Sequence, residues 1–233
     1  MPRIVFEDAS LLVLEKPCGM LVHPTHKRET DTLIDFLTQS GRSFVGIIHR
    51  LDASASGLLV VALHPHVAQD LKHQFQQHSI TKEYVVLVHG VLPRDEGSIT
   101  LSIQRSMHKA RMAAVPAGSG REARSDYLVM GRSTRYTLVK VRTLTGRTHQ
   151  VRLHFFALGH PVAGDPLYRS KRWNDDAPRL FLHAITLGFQ HPVKKEYMEF
   201  HSELPEELQQ YLEYNKITAL TLEPRTEHGE PRL

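Results

Sequence analysis

The chain has 233 residues, of which 41% are hydrophobic and 23% charged, an ordinary composition for a folded globular protein and not for a disordered one. Its one cysteine, Cys18, excludes an internal disulfide and a cysteine-rich zinc site, and no apolar run reaches the ~20 residues that span a bilayer. With no secretory segment either, we expect a cytoplasmic protein, and an excess of only four basic over acidic residues (29 against 25) does not by itself indicate a nucleic-acid partner.

Short strand-like segments and two helical patterns make up the first half of the chain. A short helix is predicted over 32–39, with Asp31 as its N-cap. Apolar side chains recur every four residues after Pro65, which predicts an amphipathic helix over 65–78. Apolar and β-branched runs predict strands over 4–7, 11–15, 44–48, 58–63 and 82–90.

The second half contains a further helical pattern among strands and charged loops. Val151, Phe155 and Leu158 form one apolar stripe, which predicts a helix over 148–158 that Gly159 ends. Strands are predicted over 136–143 and 180–189, and a closing helix over 205–214. A basic excursion is predicted over 106–124 and a charged loop over 168–179.

Many short strands with few helices between them predict an α+β fold, because regular βαβ winding would alternate the two. No composition change marks an internal boundary, so we expect one domain over residues 1–216. Residues 217–233 are polar and contain two prolines, which predicts a flexible tail. Nothing indicates a coiled coil, and we expect a monomer.

The polar segment HRLDASASG, residues 49–57, joins two apolar strands. Functional side chains concentrate on loops carried by a rigid sheet, so Arg50 and Asp52 are candidates for a site. The alternative is structural, because Asp52 and the two serines could simply cap turn amides. This segment alone favours the structural interpretation.

Two other segments carry candidate side chains. Tyr84 lies in the segment TKEY, and on composition alone we interpret it as an aromatic residue that packs on one face of a strand. TGRTHQVRLH, residues 145–154, crowds donor side chains at a helix start, where anions are favoured and where Arg147 and Arg152 would reinforce the preference. A solvated, charged helix face is the alternative.

Taken together, these segments resemble the RluA-type pseudouridine synthases. The order and approximate spacing match that family from about residue 4 to about residue 213. Two departures are Glu15, where the family commonly has Asn before Lys-Pro, and the lack of an S4-like extension, which leaves substrate choice to the catalytic domain. The matching motifs are EKPCGMLVHP, HRLDASASGLLVVA, TKEY, TGRTHQVRLH, GHPVAGDPLY and LFLHAITLGFQHP.

The resemblance implies a mixed, largely antiparallel central sheet with flanking helices and an RNA-binding cleft across it. It also implies that uridine is isomerised to pseudouridine in RNA without a cofactor. Asp52 matches the family's catalytic aspartate, which either adds to the sugar C1′ or helps to remove the 2′ proton. Arg152 matches the arginine that pairs with this aspartate, and Tyr84 the tyrosine that stacks on uracil and takes the C5 proton.

The implied partner is RNA, with ribosomal RNA preferred over transfer RNA on family membership alone, and with neither metal nor membrane. The target uridine must leave its stack, and Arg50 matches the position that fills the vacated space. His49 is counted with the RNA-binding residues, although a role in supporting the loop is favoured for it and for Leu51. The candidate phosphate contacts are Lys82, Arg111, Arg124, Arg147, Lys171 and Arg172.

Other classes of protein fit less well. The sixteen histidines form close pairs, including His23 with His26, but no HExxH or other recognised metal-ligand set. The serines at 54 and 56 lack the leading glycine of a nucleophile elbow, and the glycines at 118 and 120 do not follow a clear strand. The alternative that stays open is a catalytically silent RNA-binding protein on the same scaffold.

Overall fold

The computed structural model describes residues 1–24, 30–106, 111–116, 118–173 and 176–217, and these contain eleven strands and four helices. In chain order the elements are β1 (Arg3–Glu7), β2 (Leu11–Lys16), α1 (Leu33–Gln39), β3 (Gly46–Ile47), β4 (Ser56–Ala62), α2 (Pro65–Gln76), β5 (Thr81–His89), β6 (Glu96–Arg105), β7 (Met112–Val115), β8 (Arg121–Arg132), β9 (Tyr136–Thr143), α3 (Gln150–Ala157), β10 (Leu182–Gln190), β11 (Tyr197–His201) and α4 (Glu206–Tyr214).

All eleven strands belong to one sheet. Nine of them follow the order β1-β2-β4-β10-β5-β9-β8-β6-β7, while β3 pairs with β4 and β11 with β10. Only β4 and β10 run parallel to each other; the other described pairs are antiparallel. The predicted α+β fold with a mixed, largely antiparallel sheet is confirmed. Within the described part of the chain, no helix combines the length and apolarity needed to cross a membrane.

β4 is an interior strand of the sheet, which suits its sequence, SGLLVVA, because that sequence is apolar on both faces, and every residue of it is buried. Leu59 faces the cluster that includes α1 and α3, whereas Leu58 faces the cluster that includes α2. Gly57 permits the parallel pairing with β10, because a Cβ added to it would lie 2.3 Å from the backbone oxygen of Ala184. Apolar packing on both faces and the close pairing with β10 therefore hold β4 in place.

Several predicted boundaries are wrong in detail. The N-cap of α1 is Thr32 and not Asp31, because the Thr32 hydroxyl accepts from the Asp35 amide and the Asp35 carboxylate accepts from the Thr32 amide. The strand predicted over 44–48 shortens to the two residues of β3. The helix predicted over 148–158 begins at Gln150, and Leu158 lies 45% exposed and not on the buried stripe.

The prediction of a basic excursion over 106–124 is also wrong. Where the structure describes this segment, it contains β7 and the first residues of β8. β6, most of β8, and β11 are strands that the sequence analysis did not identify. Of the predicted tail, Ile217 is 5% exposed and packs with α4, and residues 218–233 lie outside the described chain. The predicted charged loop at 168–179 contains neither helix nor strand in its described residues.

His154 on α3 is fully buried, and neither of its ring nitrogens has a hydrogen-bond partner among the described residues. Burial lowers the pKa of His154 to about 4. In the unfolded chain the pKa returns to about 6.5. Between these values the unfolded chain binds a proton that the folded chain does not, so the free energy of unfolding falls as the pH is lowered from about 6.5 to about 4.

We expect His154→Leu to make folding less sensitive to acid. At pH 5 the wild type carries a penalty of about 2 kcal/mol from this group that the variant lacks, while at pH 7 the variant is at least as stable. Urea denaturation at both pH values measures the difference, with the exposed His73→Leu as the control. An equal loss of stability between pH 7 and pH 5 in wild type and His154→Leu would contradict the assignment.

Candidate active site

Asp52 lies in the loop between β3 and β4, at the wall of a cavity of about 580 Å³. A turn forms its backbone, in which the Ala55 amide donates to the Asp52 carbonyl at 3.1 Å. Its side chain is 15% exposed, so the carboxylate faces the cavity and not bulk solvent. We call this space the Asp52 cavity.

A second loop, between β2 and α1, holds the Asp52 loop in place. The Gly19 amide donates to the Ala53 carbonyl at 2.8 Å, and the Cys18 thiol donates to the Ser54 carbonyl at 3.1 Å. The buried ammonium of Lys16 donates to the carbonyls of Ala53, Pro17 and Met20 at 3.2, 2.7 and 2.8 Å. Burial lowers the pKa of Lys16 to about 8. The backbone beside Asp52 is therefore fixed by three donors.

Arg152, from the first turn of α3, joins Asp52 to a second carboxylate. Its Nη1 donates to Asp52 Oδ2 at 2.9 Å, across 100 residues of sequence. Its Nε and Nη2 donate to the two oxygens of Asp165 at 2.7 Å each. Asp165 also accepts from the amides of Leu167 and Tyr168 at 2.8 and 3.0 Å. The guanidinium is thus held rigidly while one nitrogen reaches Asp52.

Arg152 and Asp165 keep each other ionised. Burial opposes the charged form of Arg152, but the hydrogen bonds and charge of Asp165, followed by those of Asp52, outweigh it and raise the pKa of Arg152. Burial likewise opposes ionisation of Asp165, yet Arg152 and the two backbone amides lower the pKa of Asp165. An ionised Asp52 therefore meets a permanent cation at the cavity wall.

His149 approaches the carboxylate oxygen of Asp52 that Arg152 does not contact. It adopts a left-handed backbone conformation (φ 58°) just before α3, and its Nε2 lies 3.8 Å from Asp52 Oδ1. Its Nδ1 lies 2.8 Å from the hydroxyl of the buried Tyr168, which donates to the Met112 carbonyl. Burial lowers the pKa of His149, against the opposing charge of Asp52. A mainly neutral imidazole therefore borders the carboxylate.

Tyr84 supplies an aromatic wall of the same cavity. It lies on β5, beside the buried apolar cluster that contains Val86 and Val141. Burial, reinforced by the charge of Asp52, raises the pKa of Tyr84 to about 12. The phenol is consequently uncharged at neutral pH and offers a planar apolar face to a ligand.

Some of the predicted RNA-contact residues line the Asp52 cavity and others do not. The exposed Arg50 lines it, and so does His49, whose Nε2 accepts from the Val60 amide at 3.0 Å while its ring stacks on Phe75. Burial lowers the pKa of His49 to about 3, which fits the supporting role. The predicted cations that line the cavity are Lys82 and Arg147, whereas Arg111, Arg124, Lys171 and Arg172 are not among its lining residues.

The cations outside the cavity have other neighbours. Arg111 donates to the Leu167 carbonyl at 2.9 Å, and Arg124 pairs with Asp126 at 3.2 Å. Arg172 stacks over the Trp173 ring, 4.8 Å from its centroid. Lys171 lines a second cavity of about 330 Å³, which Asp165 also lines.

Glu15, at which the sequence departs from the family pattern, does not line the Asp52 cavity. Its carboxylate accepts two hydrogen bonds from Arg3, at 3.0 and 2.6 Å, and one from the Ser202 hydroxyl at 2.7 Å. Ser202 in turn lies 3.0 Å from His183 Nε2, and His183 Nδ1 lies 2.8 Å from the Ser56 hydroxyl. Glu15 therefore belongs to a chain of polar contacts that ends at Ser56 on β4.

The sequence analysis missed three residues that organise the site: Asp165, His149 and Tyr168. All three lie inside motifs that it quoted, GHPVAGDPLY and TGRTHQVRLH. The available signal was that a buried arginine requires a carboxylate partner, for which Asp165 is the nearest acidic residue along the chain. Among the described residues, no group of three or more His, Cys, Asp or Glu side chains is arranged to hold a metal ion.

The arrangement suits a planar ring attached to an anionic chain. A carboxylate and an aromatic face line one cavity, and Arg50, Lys82 and Arg147 place positive charge around them. The carboxylate can act as a nucleophile or as a base, since it is partly shielded from water and oriented by Arg152.

Comparison with known proteins gives matches over most of the chain. The family model for RNA pseudouridylate synthases matches residues 10–157. The ribosomal large subunit pseudouridine synthase D of Zymomonas mobilis is 38% identical over 224 residues, covering 89% of this chain and 70% of that protein. The dual-specificity RNA pseudouridine synthase RluA of Pasteurella multocida is 35% identical over 198 residues, covering 84% and 90%. The solved structure of human RNA pseudouridylate synthase domain containing 1 superimposes with a TM-score of 0.73 at 27% identity, covering 94% of this chain and 96% of that one.

Proposed function

The chain belongs to the RluA-type RNA pseudouridine synthases, which isomerise uridine within RNA, and we propose that Asp52 is the carboxylate that carries out this reaction. The proposal rests on the hydrogen bond of 2.9 Å that Arg152 donates to Asp52, at the wall of a cavity that Tyr84 also lines. Three distant segments thereby meet around a space that can hold a pyrimidine. The convergence favours catalysis over the alternative of a silent RNA-binding protein, because binding alone would not require a carboxylate that is rigidly paired and partly shielded from water.

The reaction breaks the N1–C1′ bond, turns the uracil and joins C5 to C1′, after which C5 loses its proton and N1 takes one up. It involves no net redox change and no group donor, so we propose no cofactor. Asp52 either adds to C1′ as N1 departs or removes the 2′ proton, and both routes need the ionised carboxylate. The uridine enters by base flipping, which costs a few kcal/mol, and Arg50 at the rim fills the space it leaves.

Tyr84 holds the uracil while it turns. Base–aromatic stacking is worth about 1–3 kcal/mol per base. Because a pKa of about 12 keeps the hydroxyl protonated at neutral pH, we propose that the hydroxyl takes the C5 proton while passing its own to water. The aromatic ring and the hydroxyl thus have separable roles.

We expect Tyr84→Phe to keep RNA affinity and to lower the rate of pseudouridine formation by about 10²–10⁴-fold, the usual contribution of a general acid or base. Tyr84→Leu should weaken RNA binding as well, because it also removes the aromatic face. Single-turnover rates and RNA affinities of both variants measure the two effects. A Tyr84→Phe enzyme with the wild-type rate would remove the hydroxyl from the mechanism.

Structured RNA is the substrate, and we propose ribosomal RNA over transfer RNA, acted on by a monomer in the cytoplasm. The preference for ribosomal RNA is supported by the name of the Zymomonas relative, a ribosomal large subunit enzyme; the Pasteurella relative is named as dual-specific. Purified protein incubated with unmodified ribosomal and transfer RNA, followed by pseudouridine quantification, tests this choice. Faster conversion of transfer RNA would contradict the ribosomal assignment, and no conversion of either would count against the proposed activity.

A further inference from the structure

Lys82 is a buried cation without an acidic partner in the Asp52 cavity. The residue is 9% exposed and lines the cavity, yet no described residue forms a hydrogen bond or ion pair with its ammonium group. The ammonium lies over the Phe75 ring, with Nζ 5.3 Å from the ring centroid. A buried ammonium normally has a hydrogen-bonded anion beside it, so the unpaired ammonium of Lys82 is suited to binding an anionic ligand.

Arg147 adds a second positive charge at the same place. It lines the cavity, and its Nε donates to the Glu122 carbonyl at 2.9 Å, an uncharged acceptor. Burial, followed by the charge of Arg147, lowers the pKa of Lys82 to about 8. Gly146, the neighbour of Arg147, lies beside this ammonium, since an added Cβ would be 3.8 Å from Lys82 Nζ. Two repelling cations at one cavity wall are stabilised when an anion binds between them.

We propose that Lys82 and Arg147 bind the phosphate of the same nucleotide whose uracil lies on Tyr84. This inference rests on the proposed function and identifies which part of the substrate these cations hold. Lys82 and Tyr84 are two residues apart on β5, so their side chains leave the same face of the strand about 7 Å apart. That spacing is comparable with the separation between a pyrimidine ring and its own phosphate. The base and phosphate of one nucleotide can therefore be held by a single strand.

The first test is the salt dependence of catalysis. We expect Lys82→Met to raise KM for unmodified total cellular RNA by about tenfold or more, with a smaller effect on kcat. The slope of log KM against log salt should fall by about one, because one phosphate contact is lost, and Lys82→Arg should restore it. Lys194→Met, which removes an exposed charge paired with Asp8, is the control. An unchanged slope in Lys82→Met would overturn the proposal and leave Lys82 a packing role against Phe75.

The second test does not depend on turnover. Uridine 5′-monophosphate, uridine 3′-monophosphate and uridine are titrated into isotopically labelled protein, and affinities are taken from chemical shifts of the Asp52 cavity. We expect wild type and Lys82→Arg to bind one of the monophosphates at least several-fold more tightly than uridine, and Lys82→Met to lose that preference. A preference that persists in Lys82→Met, or none in wild type, would contradict the phosphate site. Absence of pseudouridine formation with this preference intact would instead refute the proposed activity alone.

Discussion

Asp52→Asn is expected to abolish pseudouridine formation, lowering the rate by at least about 10⁴-fold, because an amide can neither add to C1′ nor take the 2′ proton. The fold should be almost unaffected. The turn at this position is closed by the backbone carbonyl of Asp52, and the side chain is 15% exposed. The asparagine oxygen can still accept the hydrogen bond from Arg152, which also keeps both bonds to Asp165.

Three measurements on the same preparation separate these effects: nucleoside analysis of digested RNA, thermal unfolding and RNA affinity. Asp126→Asn is a matched control, because Asp126 pairs with Arg124 and does not line the Asp52 cavity. Residual turnover above a thousandth of the wild-type rate in Asp52→Asn would show that another group performs the chemistry. Loss of folding in that variant would show that the carboxylate is structural.

Arg152→Met should abolish turnover and also destabilise the protein by about 3–5 kcal/mol, because it leaves Asp165 as an uncompensated buried charge. Asp165 is 1% exposed and receives two of its four hydrogen bonds from Arg152. Asp52, which is partly open to the cavity, contributes less to the loss of stability. Urea denaturation at pH 7 gives the free energy of unfolding directly.

The double variant Arg152→Met with Asp165→Asn distinguishes the two roles of the arginine. The asparagine oxygen can still accept from the amides of Leu167 and Tyr168, and no buried charge is left, so most of the lost stability should return. Activity should not return, because Asp52 still lacks its cation. Recovery of turnover in the double variant would mean that Arg152 serves only to neutralise Asp165.

Local patterns predicted the elements whose apolar periodicity is strong. The strand over 136–143 matches β9 at both ends, and α2 begins at Pro65 as expected. The prediction of the N-cap of α1 was wrong because Asp31 and Thr32 are both good capping residues, and only the observed hydrogen bonds between Thr32 and Asp35 decide between them. β6 and β8 lie towards one edge of the sheet, where one face of each strand is largely exposed and polar residues dilute the apolar signal.

The pairing of Asp52 with Arg152 could not be derived from local pattern, because 100 residues separate them and no periodicity links a loop to a helix start. The motif resemblance supplied those two residues and Tyr84. It did not supply Asp165, whose role becomes evident only once Arg152 is seen to be buried. Nor could composition separate cavity cations such as Lys82 from cations such as Arg124, which differ only in where the sheet places them.

Pseudouridine mapping across total RNA is the most direct test of the central claim, that the cavity formed by Asp52, Tyr84 and Arg152 isomerises uridine. The RNA is taken from four cell lines: cells that carry the gene, cells in which it is deleted, and deletion cells that express either the wild-type protein or Asp52→Asn. The account predicts that a small set of positions loses pseudouridine without the gene and regains it with wild type alone. Identical maps in all four cell lines, or restoration by Asp52→Asn, would contradict it.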